Sequence, residues 1–383
     1  MRKTDKLYYQ CAYTPNFTAT IVDISETYGV ALNQTRFYPG GGGQPADFGT
    51  LDGIKVVDCA SKDGIIYHKL ETTDKLAVGA EITGVVDIKR RLGFMQNHTG
   101  EHILSGYAKS RFGAENVGFH MSERGFTMDL NKPLSPVQIQ ELEDLTNAAV
   151  NDQNPVITAF YEGSETRDKV FRAKKTFAED EQVRIVTVDV YDVCACAGLH
   201  VSNTEEIGFV KVVGAQNYKG GVRLTVYCGQ DAFWDYSRKH AICRDVGVSL
   251  SADTDNITIA LEKLMYSKTN MKKQLDKLRN ENMGLKAQTV GVGANFAYFF
   301  EEDLTSDDMR RFANLVAERA KIAVVMNGQQ YAISAREQTA LEGFVEEFTD
   351  KLEGRGGLSK LFAQGAVKAD YERIVAFLEN RNE

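Results

Sequence analysis

The sequence has no stretch approaching the ~20 apolar residues that a membrane helix needs. Its first residues, Met1-Arg2-Lys3-Thr4-Asp5-Lys6, run into polar and aromatic positions without the apolar segment of a signal peptide. Its six cysteines form no disulfide pattern, so a reducing cytoplasm is the expected setting and no membrane partner is expected. Histidine is scarce, at six in 383 residues. Positive charge is not in excess either: a net charge of −8 argues against indiscriminate coating of nucleic acid, although phosphate contacts depend on local patches. With 43% hydrophobic and 26% charged residues the composition is that of an ordinary globular protein, long enough for two or three domains.

What is there is concentrated. Three of the six histidines fall in two short motifs, Asn97-His98-Thr99-Gly100-Glu101-His102 and Cys194-Ala195-Cys196-Ala197-Gly198-Leu199-His200. The residues around His98 and His102 carry apolar positions at helical spacing, so the two imidazoles share one face of a helix, one turn apart. Cys196 and His200 repeat the four-residue interval with a thiolate first. Three imidazoles and one thiolate suit Zn²⁺ in a tetrahedral site. Cys194 could replace Cys196 geometrically; the four-residue interval favours Cys196 and leaves Cys194 as a small buried hydrophobe. The first motif is not the protease signature H-E-x-x-H, because Glu101 stands just before the second histidine.

Taken in order, residues 1–88 alternate over short runs at 17–24, 28–32, 54–58, 65–69 and 81–86, separated by glycine and aspartate turns. Their close spacing predicts a β-barrel. The glycine run at 40–43 lacks the endings of nucleotide-binding loops and reads either as a loop closing over a substrate or as a mobile hairpin. Residues 89–235 predict an α+β domain: the histidine helix stopping near Gly113, strands at 116–120 and 126–129, an amphipathic helix at 136–152, and strands at 155–161, 183–188, 207–214 and 222–227. Residues 236–291 read as a helical linker in which Leu261, Leu264, Met271, Leu275, Leu278 and Leu285 take a and d heptad positions, with Lys268 and Asn282 at the remaining a sites. That helix could pair with a second chain or fold back on its own domain. Residues 292–383 predict a small α/β unit with strands at 296–299, 322–326 and 330–334 and helices at 306–320, 337–352 and 369–380. The fold class is therefore α+β throughout.

Two basic patches interrupt the acidic background. Residues 167–175 hold Arg167, Lys169, Arg172, Lys174 and Lys175 against Asp168, a net of +4, and residues 263–286 hold seven basic residues against Asp276 and Glu281, a net of +5. Each fits a solvated face as well as a phosphate contact.

The run His98-Thr99-Gly100-Glu101-His102, the run Cys196-Ala197-Gly198-Leu199-His200-Val201 followed by Thr204-Glu205-Glu206-Ile207-Gly208, and the upstream Phe37-Tyr38-Pro39-Gly40-Gly41-Gly42-Gly43-Gln44-Pro45-Ala46-Asp47-Phe48-Gly49 resemble, in order, three signatures of the alanyl-tRNA editing family. That family comprises the editing domain of alanyl-tRNA synthetase and the free-standing AlaX proteins, here in their long form. The resemblance implies His98, His102, Cys196 and His200 as zinc ligands. It implies that the glycine loop faces the editing pocket, so that Gln44 offers an amide to the substrate, and that the stretch 117–121, with Gly118 and His120, forms a wall of the amino-acid pocket. A histidine on a short strand reads equally well as structural. Glu101 is a second candidate polar group.

The implied activity is hydrolysis of the ester of tRNA(Ala) mischarged with serine or glycine, with zinc either generating the nucleophile from water or orienting the substrate. The alternative is a non-catalytic tRNA-binding module with a structural zinc. Because the chain begins with the barrel, no room is expected upstream for a ligase module, and amino-acid activation is expected to be absent. Gly354, Gly356, Gly357, Lys360, Ala363, Gln364 and Gly365 resemble the glycine-rich segment of the C-terminal domain that such synthetases share with DHH-type phosphoesterases, thinned by Leu358, Ser359 and Leu361. The phosphoesterase catalytic half has no counterpart in these residues, and phosphoesterase activity is not expected. A homodimer through the helix at 261–285 or the C-terminal domain is compatible with the pattern.

Overall fold

The computed structural model describes residues 2–381 apart from Lys75 and Lys174. Lys174, counted in the first basic patch, thus lies outside the described residues. The chain divides into two compact units, Met1–Asp245 and Val246–Glu383. No helix among the described residues is long and apolar enough to cross a membrane.

In the first unit, six strands pair around a common apolar interior: β2 (Asn16–Ser25), β3 (Gly29–Leu32), β5 (Gly49–Leu51), β6 (Ile54–Lys62), β7 (Ile65–Leu70) and β8 (Glu81–Val86). The pairing order β2-β3-β7-β6-β5-β8 returns to its start, so none of the six keeps a free edge. Phe17, Ile21, Val30, Leu32, Leu51, Val56 and Ile82 fill the interior. Two short strands, β1 (Asp5–Lys6) and β4 (Gln34–Thr35), pair in parallel outside it.

Helix α1 (Ile88–Phe112) follows directly. Asp87 caps its start by accepting from the Arg90 N–H, and Gly113, at φ 59°, closes it in the left-handed conformation that glycine adopts without strain. Residues 97–105 of α1 are all buried. Two glycines permit this: a Cβ on Gly100 would overlap the Cys228 sulfur, and one on Gly106 would overlap the Tyr191 carbonyl. The helix is thereby held between two sheets. One contains β9 (Asn116–Met121), β10 (Phe126–Leu130), β14 (Val210–Tyr218) and β15 (Gly221–Cys228) in the order β14-β15-β10-β9. The other contains β11 (Val156–Glu162), β12 (Gln182–Val188) and β13 (Asp192–Ala195). Helix α2 (Pro136–Asn151) opens with a full capping box between Ser135 and Gln138 and packs on the same core through Leu142, Ala149 and Val150. Helix α3 (Gly229–Leu250) follows β15.

In the second unit, helix α4 (Ile257–Gln288) precedes a mixed sheet of β16 (Ala294–Phe300), β17 (Ala320–Asn327), β18 (Gln330–Ala335), β20 (Phe362–Ala366) and β19 (Arg355–Leu358), paired in that order. Strand β17 is parallel to β16 and the other pairs are antiparallel. Helix α5 (Ser306–Ala317) packs Met309, Phe312 and Val316 against one set of sheet residues; α6 (Gln338–Lys351) and α7 (Tyr371–Glu379) pack Leu341, Phe344, Phe348, Ile374 and Leu378 against another. Of α4 only Met283 and Ala287 are buried, while Leu261, Leu264, Met271, Leu275, Leu278 and Leu285 are exposed. The glycine-rich segment at 354–365 forms the β19–β20 hairpin rather than a loop.

Candidate metal centre

Helix α1 delivers His98 and His102 from consecutive turns, with ring centroids 5.4 Å apart. The connection after β13 delivers the other two: the His200 ring lies 4.5 Å from that of His98 and 4.6 Å from that of His102. The Cys196 sulfur is 3.4 Å from His98 Nε2 and 3.5 Å from His200 Nε2. One potential ligand atom from each of the four residues falls within 4.8 Å of all the others. A metal ion could be held there.

The surroundings of each ring favour that fit. His98 Nδ1 lies 3.1 Å from the Gln44 Oε1, a carbonyl oxygen, so it carries the proton and donates. Thr99 donates its hydroxyl to the Met95 carbonyl at 2.8 Å, so its oxygen accepts from His200 Nδ1, 3.2 Å away. His102 Nδ1 lies 2.9 Å from an Asp192 carboxylate oxygen, without the alignment of an ordinary hydrogen bond; the negative charge still favours the proton on that nitrogen. With the proton on Nδ1, each ring turns Nε2 toward Cys196, the nitrogen a metal takes, with partners behind it that fix ring and tautomer.

The charges agree. Burial opposes ionisation of Cys196, but His98, His102 and His200 outweigh it and hold the thiol well below its ordinary range. Burial likewise depresses His102, yet Asp192, Cys196 and Glu101 together push it up to about 10. His200 is held far below the usual imidazole range, by burial and then by the other two histidines.

Gln44 arrives on the glycine run, which is pinned rather than loose. Tyr38 donates its hydroxyl to the Gly41 carbonyl at 3.0 Å, the Met121 N–H donates to the Gly43 carbonyl at 3.1 Å, and Gly43, at φ 90°, lies so near the Phe119 ring that a Cβ would come within 2.5 Å of it. The buried Arg91 on α1 grips the same segment through Asp47 at 2.5 Å, and Asp47 accepts from the Tyr38 N–H at 2.7 Å. The Gln44 carbonyl is shared between His98 and the Leu199 N–H, 2.9 Å away, whereas its buried amide nitrogen has no partner among the described residues.

Glu101 is buried and already occupied, accepting from Ser105 at 2.5 Å, Asn116 at 2.5 Å and Arg172 at 3.5 Å. Arg172 also pairs with Asp192 at 2.9 Å, so Glu101, Arg172, Asp192 and His102 form one charged chain behind the metal site.

Gly118 and His120 are not brought to the cluster. A bulge in β9 between Asn116 and Gly118 shifts its register against β10 and reverses the alternation of side chains. Asn116 and Phe119 consequently line the cavity beside the metal cluster; His120 is exposed and Gly118 sits over Asp129. Phe119 stacks on His98 at 5.2 Å, so the stretch 117–121 meets the site through this ring. Cys194 groups with His102 and Asp192 but not with the other two histidines, and its buried thiol is pushed up by desolvation.

Sequence reasoning read Arg172 only as part of a basic patch and passed over Asp192, Asn116 and Arg184. The last donates to the Cys196 and Gly198 carbonyls, both at 2.8 Å, and so holds the ligand loop. A signal existed for Asp192: it precedes Cys194 by two residues and therefore shares its face of β13. Asn116 and Arg184 come from remote strands and left none. The cavity beside the cluster has a volume of about 900 Å³.

Residues 5–90 match the family model described as tRNA synthetases class II (A), and residues 183–225 the one described as Threonyl and Alanyl tRNA synthetase second additional domain. An alanine–tRNA ligase of Methanococcus vannielii is 27% identical over 97% of this chain and 43% of its own length; that of Pyrococcus furiosus is 28% identical over 98% and 43%. The chain thus spans about two fifths of the ligases it matches. The alanyl-tRNA editing protein AlaX-L of Pyrococcus horikoshii is 27% identical over 97% of this chain and 96% of its own length. Among solved structures, the C-Ala domain of Aquifex aeolicus alanyl-tRNA synthetase matches 24% of this chain and 93% of its own length at 21% identity, with a TM-score of 0.19, too loose an overlap to bear on the fold. The chain is a homologue of the alanyl-tRNA editing protein AlaX-L and of part of the alanine–tRNA ligases.

Proposed function

We propose that this protein is a zinc-dependent deacylase that hydrolyses the ester of tRNA(Ala) mischarged with serine or glycine, without activating amino acids. Residues 1–88 are its barrel domain, 89–235 its editing domain, 236–291 a helical linker and 292–383 a C-terminal domain. The observation that carries this reading is the convergence of three imidazole nitrogens and the Cys196 sulfur at the wall of an open cavity. His98, His102, Cys196 and His200 would hold the ion, which when bound supplies a Lewis acid or a docking point for the substrate's amino group or hydroxyl. The homology to AlaX-L supports the substrate assignment.

The chain's own residues account for selection. The Gln44 amide N–H is a buried donor without a partner among the described residues, so a substrate oxygen that reached it would remove a desolvation penalty. A seryl hydroxyl satisfies it and an alanyl methyl does not, which is the arrangement that separates the two esters. Phe119, stacked on His98, keeps bulk water from that side. Glu101 and Asp192, both engaged by Arg172, orient rather than exchange protons.

The test is clearance of Ser-, Gly- and Ala-charged tRNA(Ala) by purified protein before and after chelation. Chelator-sensitive loss of Ser-tRNA(Ala) with Ala-tRNA(Ala) spared is expected. Zinc-loaded protein that leaves all three intact would make the chain a tRNA-binding module. We further propose that the exposed heptad face of α4 pairs with a second copy.

A further inference from the structure

We propose that Tyr9 and Phe160 form a stacking subsite for the nucleobase at the end of the substrate's RNA, with Lys3 and Lys6 receiving its phosphate. The proposal rests on the deacylase reading and concerns the alcohol half of the ester, to which no residue has been assigned above. A glycyl or seryl group has only a handful of heavy atoms, whereas the cavity, at about 900 Å³, is near the upper end for small-ligand pockets. Most of that space must serve something else.

Its outer wall is aromatic and cationic. Tyr9, in the turn after β1, and Phe160, on β11, both line the cavity, and their rings meet edge to face at 5.5 Å. Phe160 remains 45% exposed, an apolar ring on the cavity rim instead of in the core. The step is tied to the metal centre: Tyr9 donates its hydroxyl to the Ala197 carbonyl at 2.8 Å, one residue from Cys196, and the Arg184 guanidinium lies 4.9 Å from the Tyr9 ring. A base stacked there would thus sit beside the ligand loop.

The cations point the same way. Arg172 is committed to Glu101 and Asp192, and Lys175 to Glu181 at 2.5 Å. Lys3 and Lys6 line the same cavity and make no ion pair among the described residues; Lys6 Nζ lies 5.9 Å from the Tyr9 ring. An exposed aromatic face with uncommitted ammonium groups beside it is the arrangement that holds a single-stranded nucleotide, stacking the base and neutralising the phosphate. In a chain of net charge −8 such a cluster runs against the background.

The experiment compares the full chain with its Phe160→Ala and Phe160→Trp variants. Phe160→Ala is expected to raise KM for Ser-tRNA(Ala) about tenfold with kcat within about twofold, and Phe160→Trp to restore it. In parallel, calorimetry compares adenosine 5′-monophosphate with ribose 5-phosphate: the nucleotide is expected to bind wild type about tenfold tighter, and Phe160→Ala to lose that preference. Equal binding of the two compounds by wild type, or an unchanged KM in Phe160→Ala, overturns the subsite. Wild-type protein that clears no mischarged tRNA sinks the deacylase reading instead, and the calorimetry then decides the subsite alone.

Discussion

His68 is fully buried against the barrel core, donating from Nδ1 to the Val30 carbonyl at 3.0 Å and accepting at Nε2 from Thr35 at 2.9 Å. Burial lowers its pKa to about 4 from an ordinary 6.5. The unfolded chain takes up a proton near pH 6.5 while the folded one resists, so the stability this site contributes is complete above pH 6.5 and is lost as pH falls toward 4. At the low end the loss amounts to about 3 kcal/mol. Urea denaturation across that range should show wild type losing its advantage over His68→Gln, and two parallel stability curves would refute the assignment. At the metal site, Asp192→Asn removes the charge that favours the proton on His102 Nδ1. Zinc affinity, measured by chelator competition, should fall about 10- to 100-fold with the fold retained. Unchanged affinity would show that the helix alone fixes the His102 ring.

At the scale of elements, close approach decides more than propensity. A Cβ on Gly198 would overlap the His98 ring and come within 3.0 Å of Gln44 Oε1. Gly198→Ala should therefore bring protein without stoichiometric metal but with a native circular dichroism spectrum, because the clash is confined to the ligand loop. Full metal occupancy would refute this. Helix α2 depends on local chemistry instead: the Ser135 side chain accepts from the Gln138 N–H at 3.3 Å and the Ser135 N–H donates to the Gln138 side chain at 2.9 Å. Ser135→Ala should cost about 1 kcal/mol in chemical denaturation, with metal content unchanged.

For the whole molecule, the negative total charge and the basic cavity rim make opposite predictions about salt. If local lysines and arginines carry RNA binding, KM for Ser-tRNA(Ala) should rise steeply between about 50 and 200 mM salt. A flat response would assign binding to uncharged contacts. The exposed leucines of α4 bear on assembly in the same way: light scattering at micromolar concentration should show a dimer that Leu264→Lys with Leu278→Lys dissolves, and monomeric wild type would end that proposal.

The sequence by itself determined the parts that depend on short periods. Alternation marked the strands at 17–24, 54–58, 65–69 and 81–86, and the four-residue interval placed His98 and His102 on one face of a helix. It underestimated strands whose residues are decided by distant partners: β5, β13 and the β19–β20 hairpin lacked a pattern long enough to read. A one-residue bulge was beyond it as well, because parity in a strand is set by pairing with β10 and not by the residues of β9; the bulge is what brings Asn116 to the same cavity as Phe119. Only the tertiary structure decided that Cys196, not Cys194, meets all three histidines, and that Gln44, Thr99 and Asp192 stand behind them. Those partners lie tens of residues apart in the chain, and only the packing of α1 between two sheets brings them within hydrogen-bond distance.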